Sequence, residues 1–243
     1  MLKDKPVIGK RPNSVAKNMG RIFESPIFWV LFVATAFGVP LVRSLTRHQP
    51  ELPPVLGNVG DFQLTNQDGR PVAFKDYKGS VVVANFIFTS CPDICPMLTS
   101  QMAKIQSRLM GVGPAIRLIS ITVDPQTDTP SVLKEYASKY RADHKIWQFL
   151  TGPIDHISEV VIDGFKMALE NPDSKSHAGH EGHQMPATSM DLMSITHGEN
   201  FVIVDQLGNI RAYQQARNSN DINAIVRTVA ILANSKPEAV YAR

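Results

Sequence analysis

The sequence predicts an α/β domain built around a mixed β-sheet and preceded by a single membrane-spanning helix. Apolar runs rich in β-branched residues alternate with helical patterns between residues 80 and 165, as in parallel strands joined by helices. A strand–turn–strand pattern and an amphipathic helix end the chain. The membrane helix is predicted by residues 26–42, which contain no charged side chain. At 243 residues, the chain has room for one sizeable domain and its appendages.

The uncharged N-terminal segment predicts an uncleaved membrane anchor. Six Lys or Arg residues precede it and Arg43 follows it, and such flanking cations can reach the headgroups when a span is short. The excess of positive charge places residues 1–25 in the cytoplasm and the remainder outside it. The alternatives are a buried core helix and a cleaved signal peptide, for which residues 34–36 form a poor cleavage site. An anchor and a signal peptide both export the domain.

The charge distribution argues against nucleic-acid binding, although the isoelectric point is about 8.8. Residues 1–47 carry eight basic and two acidic side chains, whereas the rest of the chain carries 17 basic and 20 acidic ones. The basic excess therefore belongs to the membrane end. No basic stripe is left on the domain to attract a phosphate backbone.

The uncharged segment divides the chain into parts. A basic tail (1–25) precedes the anchor (26–42), and residues 43–55 form a proline-rich stretch that predicts a semi-rigid spacer. The domain is expected to cover residues 56–235. Residues 171–193 interrupt its strand–helix alternation with a polar sequence rich in His and Met, which predicts an insertion.

Strand and helix patterns follow one another along the domain. Asp68-Gly69 is a hairpin turn signal, and residues 80–88 form an apolar run that suits a buried central strand. Thr129 followed by Pro130 marks the start of a helix that extends to residue 140. The other elements are predicted as a helix at 97–109, strands at 115–124 and 147–152, a helix at 154–165, a hairpin at 200–213 and a helix at 219–234. This order is typical of a thioredoxin-like domain, in which ligands gather beyond the carboxyl ends of the strands.

Both cysteines of the chain, Cys91 and Cys95, lie at the first strand–helix junction. A disulfide across so short a gap closes almost no loop and stabilises little, so the pair is expected to carry chemistry in an exported protein. Pro96 predicts the first helical turn and places Cys95 at a helix N-terminus, where a thiolate is stabilised. Two thiolates can form a disulfide or share a soft metal ion, and Cu(I) suits two thiolates with one neutral nitrogen. A static disulfide or two inert thiols are the alternatives.

The motifs CPDICP at residues 91–96 and SITVDPQTDTP at residues 120–130, with His197 just before the terminal hairpin, resemble the Sco/SenC family. Its members are membrane-anchored copper proteins needed to assemble cytochrome c oxidase. The resemblance covers roughly residues 56–234. It implies a thioredoxin-like fold and a copper site formed by Cys91, Cys95 and His197.

One position departs from the family pattern. The family usually has Asp directly before the ligand histidine, where this chain has Thr196, and a carboxylate there could orient the imidazole. Asp124 and Asp128 match the acidic motif of the family. Two interpretations stay open for them: turn and helix-cap residues, or participants in the chemistry.

The predicted insertion contains a second set of copper-binding side chains. His177, His180 and His183 are spaced three residues apart and are followed by Met185. Because imidazole and thioether bind copper in both oxidation states, we hypothesise an auxiliary site that recruits or relays copper. The alternative is a disordered insertion with incidental metal affinity.

The resemblance implies a metallochaperone, a binding protein rather than an enzyme, that delivers Cu(I), Cu(II) or both to the dinuclear copper site of cytochrome c oxidase subunit II. Oxidation of Cys91 and Cys95 to a disulfide would eject the metal. The alternative is a thiol–disulfide oxidoreductase that reduces the cysteines of the acceptor, against which the three-residue gap argues. The expected location is a bacterial inner membrane, crossed once, with the domain in the periplasm. A periplasmic thiol reductase or another copper chaperone would be a further partner.

Overall fold

The computed structural model describes residues 25–45, 51–92, 94–111, 115–167 and 200–235. The chain separates into two compact units, Met1–Pro50 and Glu51–Arg243.

The N-terminal unit contains one apolar helix, α1 (Pro26–Leu45). Its window Pro26–Arg43 has a mean hydropathy of 1.7 and none of it is buried within the chain. At 1.5 Å per residue, 20 residues reach about 30 Å, the thickness of the hydrocarbon core. The helix is therefore a candidate transmembrane span, as the sequence predicted.

Among the described residues, eight strands form one mixed sheet in the order β1-β8-β7-β4-β5-β6-β2-β3. The strands are β1 (Gly57–Asn58), β2 (Gln63–Asn66), β3 (Pro71–Ala73), β4 (Val81–Ile87), β5 (Ile116–Thr122), β6 (Trp147–Thr151), β7 (Asn200–Val204) and β8 (Asn209–Gln215). Strands β4, β5 and β6 are parallel, and the other neighbouring pairs are antiparallel. The carboxyl ends of the three parallel strands therefore meet at one edge of the sheet.

Helices cover both faces of the sheet. One face packs against α2 (Ile94–Leu109), α3 (Pro130–Lys139) and α5 (Ser219–Asn234). The other face packs against a 3₁₀ turn (Phe74–Tyr77), α4 (Ile154–Ser158) and a π-helix (Glu159–Gly164). Strand β4 is buried along its whole length because its side chains alternate between these two cores. The predicted α/β class with a mixed sheet is confirmed.

One predicted helix, residues 154–165, differs from the structure. Only its first five residues are α-helical, and the backbone then widens so that Phe165 N donates to Val160 O at 2.8 Å. The π-helix brings Gly164 against the carbonyl of Val59, where an added Cβ would lie 2.9 Å from the oxygen. This tertiary contact is absent from any local sequence pattern, so periodicity predicted an ordinary α-helix.

The last residues of the predicted spacer 43–55 pack on the domain. Leu52 contacts the core beneath α2, α3 and α5. The carbonyl of Pro53 accepts a hydrogen bond of 2.6 Å from Arg211 Nη1. Arg211 is itself held by a 2.7 Å ion pair with Asp205. This end of the proline-rich stretch is therefore part of the domain and not a free connection.

Candidate metal centre

The two cysteines lie at the carboxyl edge of the parallel strands. Strand β4 ends at Ile87, a turn follows in which Cys91 N donates to Phe88 O at 3.3 Å, and Cys95 occupies the first turn of α2. Both side chains are buried: Cys91 is 8% exposed and Cys95 is 0% exposed. Their sulfurs are within hydrogen-bonding reach of each other and are not joined in a disulfide. The fold therefore brings two thiols face to face beneath the surface.

Burial controls the ionisation of Cys95. It raises the pKa of this thiol from the ordinary 9.0 to about 12, and the nearby Cys91 and Asp128 also favour the protonated form. The Phe88 N–H, which donates to Cys95 Sγ at 3.5 Å, acts in the opposite direction but does not compensate. The expectation of a stabilised thiolate at the start of α2 is therefore wrong, because burial favours the protonated thiol. The cause is that the side chain enters the apolar core instead of facing the solvent at the helix end.

The acidic motif after β5 reaches the cysteine turn. Asp128 is fully buried, and its carboxylate accepts hydrogen bonds from Thr89 N (3.0 Å), Thr89 Oγ1 (2.5 Å) and Thr122 Oγ1 (2.5 Å). The side-chain cap of α3 is Thr129, which accepts from Val132 N. Asp128 is thus not the helix cap but a buried acceptor that joins the ends of β4 and β5. For Asp124, 7% exposed, the structure gives a backbone N–H that donates to Thr122 Oγ1 at 3.0 Å.

Sequence patterns missed the side chains that surround the pair. Thr99 donates from Oγ1 to the carbonyl of Cys95 at 2.7 Å and is hydrogen-bonded to Tyr136 Oη at 3.0 Å. Burial raises the pKa of Tyr136, and its neighbours Tyr140 and Cys95 raise it further. A threonine one helical turn after Cys95 is the only sequence signal for this contact, and it is a weak one.

The remaining predicted ligands lie outside the described residues. These are His197, with Thr196 before it, and the auxiliary set His177, His180, His183 and Met185. Within the described ranges, no group of three His, Cys, Asp or Glu side chains is placed to hold a metal ion. The structure thus brings together two of the three predicted primary ligands, Cys91 and Cys95. Two adjacent thiols at a strand–helix junction suit a soft ion such as Cu(I).

Comparison with known proteins finds relatives of one family. A family model described as SCO1/SenC matches residues 56–233. The SCO1 protein homolog of Bacillus subtilis is 36% identical over 129 residues, which are 53% of this chain and 67% of that protein. A protein of Stutzerimonas stutzeri that is named for copper binding is 32% identical over 164 residues, which are 65% of this chain and 69% of that protein. The matched segment spans about half, 51%, of two Rickettsia relatives.

Comparison of the fold with solved structures finds the same family. A solved structure of BsSco, described as a member of the Sco family of cytochrome c oxidase assembly proteins with a disulfide switch, superposes with a TM-score of 0.59. It is 28% identical and covers 76% of this chain and 100% of that chain.

Proposed function

The chain belongs to the SCO1/SenC family, and from this premise we propose that it is a metallochaperone that binds copper through Cys91, Cys95 and His197. Its mixed α/β fold is the thioredoxin-like fold of that family. The observation that carries the proposal is the pair of thiols facing each other at the carboxyl edge of the sheet. A relative named for copper binding supports the choice of metal.

Copper loading would exchange protons for the metal. Because burial keeps the Cys95 pKa high, this thiol is protonated at neutral pH until copper binds. Two thiolates then supply soft sulfur ligands, and an imidazole supplies a neutral nitrogen. The assignment of His197 as that third ligand rests on the family resemblance.

The same two sulfurs would gate release. Joining Cys91 to Cys95 in a disulfide removes both thiolate ligands. Because their protons left when copper bound, this oxidation releases two electrons only, and an exchanging disulfide accepts them with two protons from water and becomes two thiols. The closeness of the two thiols supports this step, and a disulfide switch is described for BsSco. We propose the dinuclear copper site of cytochrome c oxidase subunit II as the acceptor, because BsSco is described as an oxidase assembly protein.

The proposed location follows from α1. This apolar helix, preceded by basic residues, would anchor the chain in a bacterial inner membrane and leave the domain in the periplasm. There it would meet a periplasmic thiol reductase or another copper chaperone. These partners rest on the proposed chemistry, since the disulfide must be reduced and copper must be supplied.

A thiol–disulfide oxidoreductase is the second candidate, and the facing thiols favour it as well. Replacing His197 separates the two functions. In the chaperone, His197→Ala weakens copper binding while the rate of disulfide reduction by the cysteine pair stays the same. The matched control is His156→Ala, which alters an exposed histidine on α4. Unchanged copper binding in His197→Ala would favour the oxidoreductase.

We also propose that His177, His180, His183 and Met185 form an auxiliary copper site. The proposal rests on the residue types and on their spacing in the sequence. Replacing residues 176–185 with a Gly/Ser segment of equal length is expected to slow copper loading and to remove a weakly held ion. Unchanged loading and transfer would show that the segment has no part in copper handling.

A further inference from the structure

The cysteine turn is held by hydrogen bonds from outside itself. Within the turn, the bond from Cys91 N to Phe88 O is 3.3 Å long, which is weak for a backbone hydrogen bond. Two chains of hydrogen bonds reach the two halves of the motif from the segment between β5 and the end of α3.

The first chain holds the Cys91 half. Asp128 receives both the backbone N–H and the hydroxyl of Thr89, which lies two residues before Cys91. A third donor, Thr122 Oγ1, ties the same carboxylate to the end of β5. Hydrogen bonds to an ionised group are among the stronger ones, and a fully buried carboxylate that loses its donors is costly. Thr89 is therefore held closely in place.

The second chain holds the Cys95 half. The Thr99 hydroxyl donates its proton to the Cys95 carbonyl, so the Tyr136 hydroxyl must donate in turn to Thr99 Oγ1. The ring of Tyr136 is fixed by packing, because it lies 5.0 Å from the Tyr140 ring and 6.2 Å from the Phe149 ring, centroid to centroid. The first turn of α2 is thus tied to the middle of α3.

Both series of hydrogen bonds start from the segment that begins just before α3. Asp128 lies just before α3 and Tyr136 lies within it. We propose that Asp128 and Tyr136 are positioning residues, which hold the sulfurs of Cys91 and Cys95 face to face in the reduced protein. This inference deepens the proposed function and rests on it only for the link to copper. A preorganised pair loses less freedom when a metal or a disulfide joins the sulfurs.

The test measures how readily the two sulfurs join, without copper. Full-length protein in detergent micelles is equilibrated with reduced glutathione and glutathione disulfide. One glutathione disulfide takes two electrons and two protons from the two cysteine thiols, so that one protein disulfide and two reduced glutathiones form. The equilibrium constant reports the effective concentration of one thiol at the other. We expect Asp128→Asn to lower it about tenfold, which corresponds to about 30 mV in potential, and Tyr136→Phe to lower it about threefold.

Two sets of controls separate positioning from general damage. Asp205→Asn alters an equally buried carboxylate, which accepts from the N–H groups of Leu207 and Asn209 at 2.9 Å. Because β7 runs antiparallel to β4, Asp205 lies beside the start of β4, at the edge opposite the cysteines. The Asp205→Asn substitution should lower the free energy of unfolding and leave the glutathione equilibrium constant unchanged. Thr89→Val should lower the equilibrium constant, and Thr89→Ser, which keeps the hydroxyl, should restore it.

The outcomes bear on different claims. Values within twofold of wild type for Asp128→Asn and Tyr136→Phe, or an equal shift in Asp205→Asn, would overturn the positioning role. If Asp128→Asn does not fold, Thr89→Val beside Thr89→Ser decides the matter. Copper content of the wild-type protein is measured separately. A wild-type protein without copper would contradict the proposed function and leave the positioning role standing.

Discussion

The backbone N–H of Phe88 donates to the sulfur of Cys95 across 3.5 Å, which links the end of β4 to the first turn of α2. This contact stabilises the thiolate, yet burial outweighs it and the pKa of Cys95 rises to about 12. Cys95 therefore keeps its proton at neutral pH. In the proposed function, copper has to displace that proton when it binds.

Copper affinity should consequently depend on pH. Below the pKa of Cys95, each proton released on binding makes the apparent affinity for Cu(I) rise about tenfold per pH unit. A competition titration against a chromophoric Cu(I) chelator between pH 6.5 and 8.5 measures how the logarithm of the affinity changes with pH. In Cys95→Ser one proton fewer is released, so the affinity should rise about tenfold less per pH unit than in the wild type. An affinity that does not change with pH would show that Cys95 is not a thiolate ligand.

The β7–β8 turn should tolerate no side chain at Gly208. This residue has φ +92°, and an added Cβ would lie 2.7 Å from Cε1 of the buried Phe74 ring. Gly208→Ala is expected to lower the free energy of unfolding by about 3 kcal/mol or more, from backbone strain plus the clash. Gly69→Ala is the control, since Gly69 has φ +74° but open space around it, and about 1 kcal/mol is expected. Urea denaturation that shows the same loss of unfolding free energy in Gly208→Ala and Gly69→Ala would contradict this account.

The ion pair between Arg211 and Asp205 should matter more than an exposed pair. Their side chains are 4% and 0% exposed, and Arg211 also holds the Pro53 carbonyl. Arg211→Met leaves a buried carboxylate without its cation, which costs about 3–5 kcal/mol of unfolding free energy. Lys139→Met removes the exposed partner of Glu135 and should change stability by less than about 0.5 kcal/mol. Denaturant titrations that rank the two variants equally would refute the comparison.

Alkaline pH should destabilise the domain through Tyr77. Burial raises the pKa of this phenol above its ordinary 10.0, and its hydroxyl donates to Gln148 Oε1 at 2.6 Å. Above about pH 10 the unfolded chain loses the Tyr77 proton and the folded chain keeps it, so the stability contribution falls as the pH rises. The expected slope is about 1.4 kcal/mol per pH unit. Tyr77→Phe should have a shallower decline between pH 9.5 and 11, and an identical decline would argue against this role.

Local patterns predicted the elements well where the pattern itself determines the structure. The apolar run before Cys91 became β4, Thr129 caps α3 as expected, and Gly69 occupies the hairpin turn with a positive φ. Each of these follows from residues within a few positions of one another. The π-helix was missed because the contact of Gly164 with Val59 joins segments about a hundred residues apart.

The candidate site was predictable only in part. The positions of Cys91 and Cys95 follow from the strand–helix junction, and their burial does not. The high pKa of Cys95 depends on how deeply the first turn of α2 enters the core. The bond between Asp128 and Thr89 spans 39 residues and two strand ends, so no spacing rule could reveal it.

The most direct test of the central claim is the copper content of the reduced full-length protein beside Cys91→Ser and His197→Ala. The proposed function predicts one tightly held copper ion in the wild type, lost in both variants. Copper that stays bound in both variants, and disappears only when residues 176–185 are replaced, would contradict the three-ligand site. In that case the cysteine pair would serve thiol exchange.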